Sequence, residues 1–97
     1  MSLESITAAG NVEVPAYLAL QELGFAIDRR FLENGTEMWV ATSDAFLFSA
    51  PSPLELLGLC LMRQTRGPNW KADNNQINGY LSTYYPAALD ESQDANS

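Results

Sequence analysis

The sequence predicts a two-layer α+β domain, a three-stranded antiparallel meander with helices, in the order α-β-β-β-α-α. Three observations carry this. Ser52-Pro53-Leu54-Glu55 is a strong helix start: Ser52 suits the N-cap, Pro53 the first turn, and Glu55 completes a capping box. Asn34-Gly35 between two apolar runs is a strong hairpin signal. A second N-cap, Asp73, precedes an apolar stripe at helical spacing.

In chain order, residues 1–10 show no clear period and read as an extended or flexible segment. A first helix is expected over Val14–Leu23, with Pro15 in its first turn and Gly24 just past its end. Ala16, Leu20 and Leu23 should face the core. Phe25–Leu32 alternates as a strand. A two-residue loop at Asn34-Gly35 would set Phe31 opposite Met38, Arg29 opposite Val40 and Arg30 opposite Trp39. The core face would then hold Phe25, Ile27, Phe31, Met38 and Val40, with Arg29 at the rim. A third strand, Ala45–Ala50, follows the turn at Ser43-Asp44. Phe46 and Phe48 are expected on the core face beside Val40 and Met38, because two phenylalanines bury more readily than Leu47 alone.

The central helix should run from Pro53 to about Arg66, where Gly67 and Pro68 stop it. Between Leu54 and Met62 only Glu55 and Gly58 are not apolar, so one sheet face cannot cover this helix. Leu54, Leu57 and Leu61 form one row on it. The third helix reaches about Tyr84, with Ile77, Tyr80, Leu81 and Tyr84 on one stripe, and Pro86 ends it. Folding this helix back over the central one would cover both, the alternative cover being a second subunit. The single α+β domain thus spans 11–86. The acidic remainder, 87–97, reads as a disordered tail.

Ninety-seven residues make one domain, and 46% hydrophobic residues can supply its core. No run is long enough to span a bilayer, and the N-terminus lacks the basic and apolar parts of a signal peptide. A cytoplasmic location is the expectation, and the single Cys60 excludes an internal disulfide framework. Twelve acidic and five basic residues give a formal net charge of −7. That balance argues against nucleic acid and anionic membranes as partners.

Helix, three strands, helix resembles the element order of double-stranded RNA-binding domains. The resemblance is one of topology only. That module implies basic residues at the start of the helix after the sheet, aimed at phosphates. Here the helix opens with Ser52-Pro53-Leu54-Glu55, with no Lys or Arg before Arg63. No functional residue is carried over.

Catalytic signals are absent. There is no histidine, no glycine-rich phosphate loop and no nucleophile motif. Cys60 sits among leucines in mid-helix, where burial leaves a thiol inert. The sequence therefore predicts no catalytic residue, no metal and no cofactor.

Aromatic residues remain. Arg30, Trp39 and Leu47 are expected on the outer sheet face as a partner-binding patch, since Trp, Tyr and Arg dominate interface hot spots. Trp70, Lys71, Tyr80 and Tyr84 form the other cluster, either the lid over the central helix or a ligand groove. The function expected is a non-catalytic, acidic protein-interaction module of bacterial type, an adaptor, inhibitor or immunity-like protein. It would dock on a protein partner, with a basic partner the natural match to its charge, or form a homodimer. The competing expectation is a small-ligand-binding domain or minor enzyme that uses the C-terminal aromatics with Arg63, Arg66 or Lys71 as an anion clamp.

Overall fold

The first turn of the chain is built by Gly24. Its φ of 95° lies in the left-handed region, where a side chain would be strained. The amide of Gly24 donates to the Gln21 carbonyl, and that of Phe25 to the Leu20 carbonyl. This is a Schellman motif, and its usual apolar contact is present, since Leu20 and Phe25 share one buried cluster. Local helix-end chemistry thus delivers two core side chains together.

The computed structural model describes residues 3–88. The elements are α1 (Glu13–Glu22), β1 (Ala26–Phe31), β2 (Glu37–Thr42), β3 (Leu47–Ala50), α2 (Pro53–Arg66) and α3 (Asn74–Tyr84). The strands form one antiparallel sheet in the order β1-β2-β3. Helices α1 and α2 pack on each other and on one face of it. The predicted fold class and element order are those observed. Residues 3–12 form no helix or strand, and all but the half-exposed Val12 are exposed. Of the expected acidic tail, residues 89–97 lie outside the described residues.

The core is small. Leu20, Phe25, Ala41, Ala50, Leu56 and Cys60 form it, with Ile27, Trp39, Phe48 and Leu57 packed around them. On α2 the buried row is therefore Pro53, Leu56 and Cys60, not Leu54, Leu57 and Leu61. Leu54 and Leu61 are exposed. On α1 Ala16 and Leu20 are buried as expected, but Leu23 is exposed at the helix end.

The β1–β2 register differs from expectation by one residue. Arg29 opposes Trp39, Arg30 opposes Met38, and Ile27 opposes Ala41. The cause is the turn. Asn34 keeps a negative φ and only Gly35, at 85°, is left-handed, so the two-residue turn with both residues left-handed does not form. Instead Gly35 donates to the Leu32 carbonyl, while the Leu32 amide bonds Thr36. The Thr36 amide also donates to the Asn34 side chain at 2.9 Å. The loop is thus three residues, a type I turn followed by a glycine bulge.

One residue of slip exchanges the faces of β2. Trp39 and Ala41 face the helices, and Met38 and Val40 take the other face. Phe48 lies on the core face as expected. It sits opposite Ala41 rather than Val40, because the β2–β3 turn has only Asp44 and Ala45 at its tip. Phe46 stacks on Phe48 with ring centroids 5.5 Å apart, half out in solvent.

Helix α3 does not cover α2. It has no buried residue and packs on neither sheet nor helices as they pack on one another. The predicted lid is corrected here. In the connection, Arg66 Nε donates to the Trp70 carbonyl at 2.8 Å, and Lys71 Nζ lies 5.7 Å from the Trp70 ring centre. Asp73 and Gln76 then close a full capping box that fixes where α3 begins.

Candidate functional site

The register places the site. Leu32 and Thr36 are a hydrogen-bonded pair. Such pairs alternate along an antiparallel ladder, so Arg30 and Asp28 bond to β2. The backbone groups of Ile27, Arg29 and Phe31 consequently point away from the sheet. Strand β1 is an edge strand, and no backbone bond from the rest of the described chain closes that edge.

Beside the edge lies a cleft of about 440 Å³ between sheet and helices. Ile27 and Arg29 line it from β1, Val14 and Tyr17 from α1, and Trp39 and Pro53 close it. Trp39 belongs to the core margin and is half-buried. Val14 is 53% exposed although apolar. Tyr17 is oriented by Gln21, whose amide donates to the phenol oxygen at 2.9 Å. The volume falls in the range of ordinary ligand clefts, roughly 300–1,000 Å³.

The charges around the cleft are engaged locally. Glu13 accepts from the Leu54 amide at 3.0 Å, so an α1 carboxylate occupies the positive end of α2. Ser52 accepts from the Glu55 amide at the same helix start. The place where the RNA-binding topology needs phosphate contacts is thus held by two acidic residues and a serine. Arg29 reaches Glu37 at 3.4 Å and lies 5.0 Å from the Phe31 ring centre. Arg30 pairs with Asp28 at 3.1 Å.

The sequence-predicted patch is not brought together. Arg30 and Leu47 lie on the outer sheet face, as their pairing with Met38 and Thr42 requires. Trp39 is on the opposite face. The Arg30–Trp39 stack is therefore replaced by Arg29 opposite Trp39, and Arg30 turns to Asp28.

The second predicted cluster also divides. Trp70 and Lys71 line a shallow hollow made entirely by residues 68–73. Tyr80 and Tyr84 are not part of it. Their rings lie 5.5 Å apart on exposed α3, with Tyr85 5.9 Å from Tyr80. Of the three cations expected near the aromatics, Lys71 lines the hollow with Trp70, Arg66 donates to the Trp70 carbonyl, and Arg63 lies 5.1 Å from the Phe46 ring centre.

Sequence reasoning missed Val14, Tyr17, Arg29 and Glu13 as site residues. An apolar, exposed Val14 next to Tyr17 on one helix turn was the available signal. No protein-family model, curated protein or solved structure matches this chain.

Proposed function

We propose that this chain is a non-catalytic protein-interaction module. It takes an extended segment of a protein partner onto the free edge of β1 and seats an apolar side chain of that segment in the cleft. The observation that supports this most is the coincidence of the two features: the outward backbone groups of Ile27 and Arg29 belong to the residues that line the cleft. Strand addition draws affinity from main-chain hydrogen bonds and specificity from pockets for alternate side chains. An edge with a pocket beside it offers both. The −7 net charge favours a segment with basic flanks.

The test uses peptides of about ten residues selected for binding to the full chain from a randomised library, a length that spans β1 at roughly 3.4 Å per residue. Binding should perturb the amide resonances of Ile27, Arg29 and Phe31 and the fluorescence of Trp39. Arg29→Pro removes an outward N–H and no ladder bond, so it should fold and lose binding; edge strands tolerate proline in this way. Arg29→Ala should fold and still bind. Selected peptides that bind Arg29→Pro as well as the parent would refute strand addition.

A further inference from the structure

Two apolar surfaces remain uncovered, one on α3 and one on α2. On α3, Ile77 is 43% exposed, Tyr80 57%, Tyr84 68% and the adjoining Tyr85 56%. On α2, Leu54, Leu61 and Met62 are each more than two-fifths exposed. Leu54, Gly58 and Leu61 follow one row of the helix at intervals of four and three.

Gly58 leaves the middle of this row without a side chain. A glycine inside a helix is destabilising relative to alanine. A Cβ at Gly58 would meet no atom within 4 Å. The row is therefore open enough for a second helix to approach its backbone at Gly58.

Within one chain the two surfaces do not meet. Helix α3 buries none of its residues and does not pack on α2 as the other elements pack on one another. A second copy can supply what the first lacks. We propose that two copies exchange α3, each laying Ile77, Tyr80 and Tyr84 over Leu54, Gly58 and Leu61 of the other.

The area is sufficient. With roughly 150–250 Å² for a fully exposed aromatic side chain, the exposed fractions, Tyr85 and Met62 included, put on the order of 600–700 Å² of largely apolar surface on the two patches of one copy. A reciprocal dimer would bury about twice that, within the roughly 1,200–2,000 Å² of stable interfaces. Such an interface is isologous and closes at two copies. The proposal does not depend on strand addition at the β1 edge, although Leu54 adjoins Pro53 of the cleft.

Sedimentation equilibrium of the full chain tests it. The mass should rise with concentration towards twice the 10.7 kDa of one chain. Leu61→Glu alone should be monomeric, and so should Tyr80→Asp with Tyr84→Asp; all three positions are exposed, so each variant should keep its fold by circular dichroism. Mixing the two variants should restore a dimer, because one of the two exchanged contacts is intact in the mixed pair. A monomeric parent chain at the highest concentration would overturn the proposal. So would a dimer that survives both sets of substitutions, or a mixture that stays monomeric.

Discussion

Cys60 shows how far one residue can be understood from its neighbours. Its place among leucines in mid-helix implies burial, and it is 1% exposed. Burial pushes its thiol above the ordinary thiol range. The folded thiol keeps its proton where an unfolded one loses it. Stability linked to this group is therefore complete below the ordinary thiol range and falls as pH rises through it. Near neutral pH the native thiol should be inert to Ellman's reagent and react fully only when urea unfolds the chain. Fast labelling of native protein would contradict the burial. Trp39 shows the opposite case. Its type and strand were legible, but its face was not, because one extra residue in the Asn34-Gly35 turn decides the face of every β2 side chain. An Asn-Gly pair signals a hairpin strongly and its loop length weakly.

Among the elements, those with capping chemistry were read well. Ser52 and Asp73 each bind the amide expected of them, and α2 ends at Arg66 before Gly67. Where an element goes is set by contacts distant in sequence, and these were not legible. Glu13 is the plainest example. It lies 41 residues from the Leu54 amide that it accepts from, and no local pattern marks it. This bond ties the start of α1 to the start of α2 and adds a negative charge to a helix N-terminus. Glu13→Ala should lower stability by about 1 kcal/mol, the usual size of a capping loss. Glu13→Gln keeps an acceptor oxygen and should lose only part of it. Urea denaturation of the two variants measures the difference, and equal losses would mean that charge alone matters. The position of α3 was misjudged for the same kind of reason. Its stripe demanded cover, but periodicity does not say which surface supplies it, and α3 buries no residue within the described chain.

At the scale of the whole molecule, charge separates the two proposed associations. The chain carries −7, so two copies repel while a segment with basic flanks is attracted. That sum already counts the five basic residues, of which Arg29 and Arg30 lie against Glu37 and Asp28. Exposed charges are screened beyond about 10 Å at 0.1 M salt and beyond about 30 Å at 0.01 M. Raising salt over that range should slow association with a basic-flanked peptide severalfold and leave its dissociation nearly unchanged, as steering acts on the encounter. The same change should tighten the dimer, since it relieves like-charge repulsion while the apolar contact of Tyr80 and Tyr84 on α2 is not weakened by screening. The two equilibria therefore move in opposite directions with one variable. Stopped-flow peptide binding and sedimentation equilibrium, run across the same salt series, measure both. Peptide association that ignores salt would remove the role of the acidic surface, and a dimer weakened by salt would place ion pairs, not apolar helix faces, at its interface.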